Sequence, residues 1–353
     1  MSLNSSKALF VDQDANFSVR DDIYHEHNDP NELFIETLYS GVNPADSKHA
    51  TLLGIRSTVI GYDFCGRILS APSGSNFSNG DIVAGYTPSR IGRPTKYGTH
   101  QPQLLCPEDL VFRVPSNLSE SHAAALTVVA MTAADAVFNI FKLPLPTTPA
   151  VFSSPILIWG ASSSVGICAV QFLRASGCQN IFVTASPARH ALLRSLGATH
   201  VFDYSSSTVV GDIAAAVEAL GQGPITNALD AVGTFTTPSS ADMVAQSVKN
   251  SAAILASVVK FDEGFQMPLA LIKDGFHVHP LGAPHPISIP AQPERHWRAW
   301  EGFQWAVKNY GTKFKLPSVE VFDGTAEDAL QEIIKVGGEG RGFGKLVIRQ
   351  PFR

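Results

Sequence analysis

The stretch with the clearest chemical potential is an apolar run, Pro155 to Trp159, followed by a turn of small residues from Gly160 to Gly166. The segment after the turn has a helical composition, and a strand, a tight turn and a helix in this order present backbone N–H groups to a pyrophosphate. The strict G-x-G-x-x-G pattern is absent, because serines occupy positions 162–164. The turn predicts a dinucleotide phosphate site, and an ordinary turn of a parallel sheet remains the alternative.

A second candidate contact follows about 20 residues later, where NAD-binding proteins carry an acid for the ribose 2′-hydroxyl. Here the loop reads Ser186-Pro187-Ala188-Arg189 and contains no acid. A hydroxyl, helix-start N–H groups and a guanidinium suit a 2′-phosphate dianion. We therefore expect NADP(H) rather than NAD, with a solvated helix position as the alternative for Arg189. Tyr204, after the next strand, is a further candidate for the adenosine phosphate, while Asp230 is either a ligand or a turn residue.

The elements that position these residues alternate between apolar runs and helical segments. The expected strands are 156–159, 181–185, 200–202, 227–231, 252–258 and 277–281, and the expected helices are 165–176, 188–196, 209–220 and 239–249. This alternation predicts βαβ units in a doubly wound parallel sheet.

The regions on either side of this alternation have a different pattern of predicted secondary structure. The first ~120 residues contain short β-like runs separated by Gly, Pro and Asn, which predicts a small, strongly curved β domain. Residues 119–141 are helical in composition, either as one helix or as two helices broken near 127–132. A helix within 290–310, a helix at 326–335 and a strand at 345–348 follow, and we expect this tail to complete the first domain. The predicted division is 1–125 with 286–353, and 126–285.

Composition excludes several classes of protein. The 353 residues are 44% hydrophobic and 16% charged, with a formal net charge of -5, so we expect no nucleic acid or anionic membrane as partner. Residues 1–14 lack the basic-then-apolar order of a signal peptide, and we expect no apolar run that reaches the ~20 residues needed to span a bilayer. These expectations favour a cytoplasmic protein. Four cysteines without a C-x-x-C pair, and eleven histidines without a ligand cluster, favour neither disulfides nor a metal site.

Seven motifs together resemble the medium-chain dehydrogenase/reductase superfamily in order and spacing. They are Gly41–Lys48, Gly61–Gly66, Gly80–Val83, Gly160–Gly166, Leu196–Ala198, Asp230–Gly233 and Gly344–Val347. The resemblance implies a GroES-like β-rich catalytic domain and a Rossmann cofactor domain.

The zinc enzymes of this superfamily place a Cys ligand in the first motif and Gly-His-Glu in the second. This chain has Pro44 and Ala45 at the first place and Gly61-Tyr62-Asp63 at the second. It therefore resembles the zinc-free branch, in which no Lewis acid polarises an alcohol or ketone oxygen. Delivery of a hydride to the β-carbon of a conjugated alkene is the reaction that this branch implies.

Finer features resemble fungal trans-acting enoyl reductases, which work beside highly reducing polyketide synthases. These features are the serine-rich turn, the Ser-Pro-Ala-Arg loop, the stretch Leu126–Ala134 and the Gly-Phe-Gly-Lys-Leu-Val tail. The resemblance implies an acyl-carrier-bound substrate, NADP(H) as cofactor, and a monomer or homodimer.

The resemblance also implies site residues. Those expected at the cofactor are Asn43, Ala45, Asp46, Ser47, Lys48, Ser162, Ser163, Ser164, Val165, Ser186, Pro187, Ala188, Arg189, Tyr204, Leu255, Ala256, Phe343 and Gly344. Those expected at the substrate are Leu126, Thr127, Met131, Thr132, Ala133, Gly275, Phe276, His277, Val278 and His279.

Lys48 and Thr132 are the candidate catalytic residues. An ammonium at Lys48 steadies the cofactor ribose or the enolate charge, and a surface lysine is the alternative. Thr132 positions the nicotinamide or the thioester carbonyl, and a backbone-bonded helix hydroxyl is the alternative. No side chain is identified as the proton donor, a role that water can fill. The aromatic stripe Trp297, Trp300, Phe303 and Trp305 is expected to be core packing rather than an acyl channel.

Two other functions stay open. One is an NADPH-dependent reductase of free quinones or small enones. The other is a protein that keeps the fold without redox work, such as an isomerase, a cyclase or a nucleotide-binding protein. Serines at 163 and 164, where glycines would be expected, favour this last alternative.

Overall fold

The computed structural model describes residues 7–25, 31–260 and 264–353. The chain divides into two compact units, each described here by itself. The β-rich unit comprises Met1–Val128, Asp274–Gln292 and Pro317–Arg353. The parallel-sheet unit comprises Val129–Lys273 and Pro293–Leu316.

Within the residues that the structure describes, the β-rich unit contains three sheets. Its strands are β1 (Ala8–Val11), β2 (Phe17–Arg20), β3 (Glu32–Gly41), β4 (Thr58–Val59), β5 (Asp63–Ser70), β6 (Ile82–Tyr86), β7 (Gln103–Pro107), β8 (Val111–Arg113), β14 (Phe276–Val278), β15 (Ile287–Ile289), β16 (Val319–Phe322) and β17 (Lys345–Arg349). The largest sheet has the order β16-β17-β3-β5-β6-β8, with β7 also pairing with β3. A three-stranded sheet, β2-β1-β4, and the hairpin β14-β15 complete it.

Helices α1 (Pro44–Leu52) and α8 (Ala326–Glu339) pack together in this unit. Helix α8 begins at Thr325, whose hydroxyl accepts a hydrogen bond from the Asp328 N–H at 3.1 Å. Its buried residues Ala326, Ala329, Leu330 and Ile333 follow a helical period and join an apolar core cluster. Gly337 lets α8 approach α1 closely, because a Cβ there would lie 1.8 Å from the Ser47 hydroxyl oxygen.

The parallel-sheet unit contains five parallel strands and their crossover helices. The elements are β9 (Ile156–Trp159), α3 (Ser164–Ser176), β10 (Ile181–Ala185), α4 (His190–Leu196), β11 (His200–Asp203), α5 (Val209–Leu220), β12 (Asn227–Asp230), α6 (Ser240–Ser247), β13 (Ile254–Ser257) and α7 (Pro293–Lys308). The strand order is β11-β10-β9-β12-β13, so the chain reverses direction across the sheet at β9. The first five expected strands and the doubly wound architecture are confirmed.

The sixth expected strand is wrong. Residues 276–278 form β14, which pairs with β15 in an antiparallel hairpin of the β-rich unit. Backbone bonds hold this hairpin there, from the His279 N–H to the Leu53 carbonyl at 2.8 Å and from the Ile91 N–H to the His277 carbonyl at 2.9 Å. Residues 274–285 therefore lie in the β-rich unit, where the sequence-based division placed them in the other domain.

The helical stretch 119–141 is continuous, so the alternative of two helices is wrong. Helix α2 (Glu120–Ala134) runs without a break and continues as a π-helix, Asp135–Ile140, because no Gly or Pro interrupts it. The Asp135 carboxylate accepts hydrogen bonds from the Arg295 Nε at 2.7 Å and from the Leu269 N–H at 2.7 Å. The stretch 120–140 is long and apolar enough to cross a membrane by length and composition, which corrects the expectation that no such run exists. Most of it is buried, as in a core helix.

Helix α7 carries the aromatic stripe and belongs to the parallel-sheet unit, whereas the sequence-based division placed 293–316 with the first domain. The bond between Arg295 and Asp135 ties its start to the π-helix. Phe303 is fully buried, and Trp300 contacts it with ring centroids 5.0 Å apart. Trp297 is 39% exposed, so the stripe is only partly buried.

Candidate functional site

The turn after β9 is shaped by glycine and by a serine bridge. Gly160 has φ +73, and a Cβ there would lie 1.8 Å from a Val232 methyl carbon. Its N–H donates to the Thr184 hydroxyl at 3.0 Å. Ser163 caps α3 by accepting from the Gly166 N–H at 3.0 Å, and its own hydroxyl donates to the Ala231 carbonyl at 2.9 Å. One hydroxyl therefore joins the β9 turn to the end of β12, at the edge where the strand order reverses.

The start of α3 leaves donors available. Within the described ranges, the N–H groups of Ser164 and Val165 make no hydrogen bond to a protein acceptor. The helix ladder begins with the Ile167 N–H, which donates to the Ser163 carbonyl at 2.8 Å. These N–H groups and the positive end of the helix are suited to an anion. Ser162 lies in the same turn and is partly exposed.

The ends of β12 and β13 are held by a buried carboxylate. Asp230 is 1% exposed, and its Oδ1 accepts from the N–H groups of Val232 and Gly233 at 3.1 Å each. Its Oδ2 accepts from the Ser257 hydroxyl at 2.9 Å. Asp230 is thus a turn residue. Two cofactor candidates, Leu255 and Ala256, lie on β13 just before its last residue, Ser257. Ala256 is fully buried, and Leu255 packs against the apolar core.

The loop after β10 presents the residues expected at a 2′-phosphate. Pro187–Arg189 form one turn of 3₁₀-helix, closed by the Arg189 N–H bonded to the Ser186 carbonyl at 2.9 Å. Pro187 and Ala188 are exposed, while Ser186 and Arg189 are partly exposed. This loop therefore keeps its predicted place at the carboxyl edge of the sheet.

One acid lies on the neighbouring strand, which sequence counting from the glycine turn missed. Asp203 ends β11 and is in register with Ala185, the last residue of β10. Hydrogen bonds from the hydroxyl and N–H of Ser205, at 2.7 and 2.9 Å, lower the pKa of Asp203. Tyr204 follows directly and is 52% exposed.

In the β-rich unit, a buried polar cluster fixes the start of α1. The Asn43 amide donates to Asp63 Oδ2 at 3.0 Å, and the Lys345 ammonium donates to the Asn43 amide oxygen and lies 3.5 Å from Asp63 Oδ2. Asp63 Oδ1 accepts from the Val128 N–H at 2.7 Å. Burial raises the pKa of Asp63, and Lys345 and Asn43 oppose that rise. Asp63 and Lys345 were not expected at the site, since no pattern shows that residues 282 positions apart meet.

A second set of bonds holds the first turn of α1. Asp46 Oδ2 accepts from the Asn43 N–H at 2.8 Å and lies 3.1 Å from His100 Nε2. The other ring nitrogen of His100 lies 2.8 Å from the Ser40 hydroxyl. Asn43 and Asp46, both expected at the cofactor, therefore have side chains bonded inside this unit. Ala45, Ser47 and Lys48 lie on α1 and are partly exposed.

The remaining candidates lie on three elements. On α2, Leu126, Thr127, Met131 and Ala133 are fully buried, and Thr132 is partly buried. On the hairpin, Gly275, His277 and His279 are exposed, Phe276 is partly exposed and Val278 is buried. Phe343 and Gly344 precede β17, and Gly344 has φ +82. The contacts of all these residues with cofactor or substrate stay predictions.

Residues 7–25, 31–260 and 264–353 contain no group of three or more His, Cys, Asp or Glu side chains that could hold a metal ion. The four cysteines are buried thiols that form no disulfide bond with one another.

Comparison with known proteins agrees with this architecture. The family described as zinc-binding dehydrogenase matches residues 164–256. Trans-enoyl reductase himH of Aspergillus japonicus is 35% identical over 53% of this chain and 56% of its own length. Trans-enoyl reductase TOXD of Cochliobolus carbonum is 32% identical over 50% of this chain and 60% of its own length. The chain thus matches these relatives over less than two thirds of their lengths.

Solved structures resemble nearly the whole chain in fold. CurK enoyl reductase has a TM-score of 0.69 at 17% identity and covers 99% of this chain and 100% of its own. Mycobacterial Rv1454c, solved in complex with NADPH, has a TM-score of 0.67 at 19% identity and covers 98% of this chain and 100% of its own. These likenesses show the fold, which combines a GroES-like domain and a Rossmann domain. In sequence, about half of the chain is similar to the fungal trans-enoyl reductases named above.

Proposed function

We propose that this chain is a trans-acting enoyl reductase, which uses NADPH to reduce an α,β-unsaturated thioester carried by a separate polyketide synthase. The proposal is based on the residues that lie at the carboxyl edge of the parallel sheet. There, helix-start N–H groups and an acid-free loop after β10 occur in a chain similar to trans-enoyl reductases.

The residues present fit a phosphorylated dinucleotide. The N–H groups of Ser164 and Val165 suit the pyrophosphate, and Ser186, Arg189 and Tyr204 offer donors and a positive charge for the 2′-phosphate. The carboxylate of Asp203 opposes that assignment electrostatically, and Ser205 already bonds it. NADPH, when bound, supplies the hydride that adds to the β-carbon of the conjugated alkene.

The chain's own residues bind and orient the cofactor and the substrate, and they exclude water. Lys48 lies five residues after Asn43, on a helix whose start is fixed by Asp63, Lys345 and His100. An ammonium carried by this helix is suited to stabilise the negative charge that develops on an enolate. Thr132 is the proposed partner for the thioester carbonyl or the nicotinamide amide.

The substrate class and location belong to the same proposal. The acyl chain arrives on a carrier domain of a highly reducing polyketide synthase, and the reaction takes place in the cytoplasm. The relatives named trans-enoyl reductases support this assignment.

The test is to mix the full chain with NADPH and an enoyl thioester and to follow the absorbance of reduced nicotinamide. The thioester is offered on pantetheine and on a carrier domain, with the saturated thioester as control. Oxidation that depends on the double bond and is faster with the carrier supports the proposal. Oxidation by free quinones alone supports the quinone-reductase alternative, and NADPH binding without any oxidation contradicts redox function.

A further inference from the structure

A phenol and an imidazole in the β-rich unit form a pair that the proposed site does not yet use. His49 Nδ1 lies 2.8 Å from the Tyr62 hydroxyl, and the ring centroids are 5.3 Å apart. Tyr62 is 6% exposed, whereas His49 is partly exposed. A hydrogen-bonded phenol with an imidazole behind it is a proton-donating arrangement, provided that the phenol reaches a basic atom.

Arg93 fixes the phenol from the other side. Its guanidinium carbon lies 4.6 Å from the centroid of the Tyr62 ring. Its N–H groups donate to the carbonyls of Val59, Gly61, Pro88 and Tyr97 and to the Thr87 hydroxyl. These bonds hold the 87–97 loop around the ring, so Tyr62 has one well-defined position.

The elements that hold the pair are bonded to the hairpin segment that is expected to contact substrate. The Leu53 N–H donates to the His49 carbonyl at 3.0 Å, and the His279 N–H donates to the Leu53 carbonyl at 2.8 Å. On the other side, the Ile91 N–H donates to the His277 carbonyl at 2.9 Å. The hairpin is therefore bonded both to the end of α1 and to the loop that contains Arg93.

We propose that the Tyr62 hydroxyl donates the proton to the α-carbon of the substrate, and that His49 positions this hydroxyl and restores its proton. The inference rests on the proposed function and supplies the proton donor that sequence patterns did not identify.

The proton balance is complete. After the hydride has reached the β-carbon, the α-carbon holds the electron pair of the former double bond. The O–H bond of Tyr62 breaks, a C–H bond forms at the α-carbon, and the phenolate keeps the O–H electron pair. His49 then transfers its Nδ1 proton to the phenolate while Nε2 takes a proton from water, which leaves as hydroxide. The neutral imidazole is then the Nε2–H tautomer, and exchange of its ring protons with water restores the Nδ1–H form before the next turnover.

The electrostatics agree with this assignment. Burial raises the pKa of Tyr62, against the opposing effects of the Arg93 charge and a hydrogen bond from Ser89, so the phenol stays protonated until a strong base such as an enolate carbon meets it. Burial lowers the pKa of His49 to about 4, with Asp46 opposing, so the imidazole is neutral at pH 7 and can exchange protons on both nitrogens.

The test compares Tyr62→Phe with Tyr97→Phe in the full chain. Tyr97 is a matched control because it is also buried, its hydroxyl is also hydrogen-bonded (to Glu32), and a cation, Lys96, lies 5.1 Å from its ring centroid. Each variant receives NADPH and an enoyl thioester in D₂O, and the face of the α-carbon that acquires deuterium is read from the product. NADPH binding and thermal unfolding are measured in parallel to confirm folding.

Wild-type chain that does not reduce the thioester refutes the proposed function itself, independently of Tyr62. With active wild type, we expect Tyr62→Phe to lower turnover about 100-fold or more, to keep NADPH affinity within about twofold, and to label both faces. Tyr97→Phe is expected to label one face, like wild type. Label on a single face in Tyr62→Phe overturns the proposal, whatever the rate.

Two His49 variants decide the case if Tyr62→Phe gives too little product to analyse. Asparagine offers an N–H near the position of Nδ1, and leucine offers none. Turnover retained by His49→Asn and lost by His49→Leu supports the assignment. Equal turnover in both variants, high or low, overturns it.

Discussion

Removing the Lys345 ammonium is expected to destabilise the β-rich unit strongly. In Lys345→Met, the carboxylate of Asp63, which is 0% exposed, keeps hydrogen bonds from Asn43 and the Val128 N–H but loses its positive partner. Breaking a buried ion pair from one side costs about 3–5 kcal/mol, since the remaining charge stays desolvated. With a urea dependence of about 2 kcal/mol per molar, the unfolding midpoint falls by about 2 M.

The measurement is urea unfolding followed by two probes. Far-UV circular dichroism follows both units, while tryptophan fluorescence follows only the parallel-sheet unit, because Trp159, Trp297, Trp300 and Trp305 all lie there. The control is Lys7→Met, which breaks the exposed pair of Lys7 and Glu327. Exposed pairs contribute about 0–1 kcal/mol, so that variant should unfold close to wild type.

The loss of unfolding free energy in Lys345→Met should also depend on pH, and in one direction. Burial already raises the folded-state pKa of Asp63, and loss of Lys345 raises that pKa further. A raised acid pKa favours folding while the group is protonated, and this contribution is lost as the pH rises through the folded-state pKa. The difference in unfolding free energy between Lys345→Met and wild type should therefore widen as pH rises and narrow on acidification. Adding Asp63→Asn to Lys345→Met should restore part of the stability. A gap below about 1 kcal/mol, or one that does not vary with pH, refutes this account of the cluster.

Three further predictions concern the proposed cofactor and reaction. Ser186→Asp should weaken NADPH by about 100-fold, since like charges brought together cost several kcal/mol, and should change NADH far less; equal losses in a titration count against a 2′-phosphate at this loop. Lys48→Ala should lower turnover more than NADPH affinity, and an unchanged rate makes Lys48 a surface lysine. Gly160→Ala should lose about 1–3 kcal/mol of unfolding free energy and much of its NADPH binding, because φ is +73 and the new methyl meets Val232. Normal binding by that variant contradicts a tight turn at the phosphate site.

The parallel sheet was predictable because its strands are buried. The runs at 156–159 and 181–185 are apolar at nearly every position, and both agree with the observed strands β9 and β10. The short run at 277–281 could not be assigned in this way. Its partner strand, 287–289, forms an antiparallel hairpin with it, and three apolar or alternating residues do not distinguish a hairpin from the last strand of a parallel sheet.

The candidate site was predictable only where it is local in sequence. The turn at Gly160 and the loop at Ser186 follow their strands directly, so position along the chain places them. Lys345 and Asp63 are brought together by strands β17, β3 and β5, and their contact depends on sheet register. His49 and Tyr62 are close in sequence, but a helix, a turn and a short strand separate them, and no periodicity relates the two.

The serines of the phosphate turn bear on the choice between a reductase and a protein without redox work. From the sequence alone, serines at 163 and 164 in place of glycines favour a protein that has lost nucleotide binding. In the structure, however, the Ser163 hydroxyl accepts from the Gly166 N–H and donates to the Ala231 carbonyl, two bonds that a glycine cannot make. Gly160, which has a left-handed backbone in this turn, is a glycine as that conformation requires. The turn therefore obtains its shape from a side-chain bridge and still presents the N–H groups of Ser164 and Val165, so serine at position 163 no longer favours the non-redox alternative.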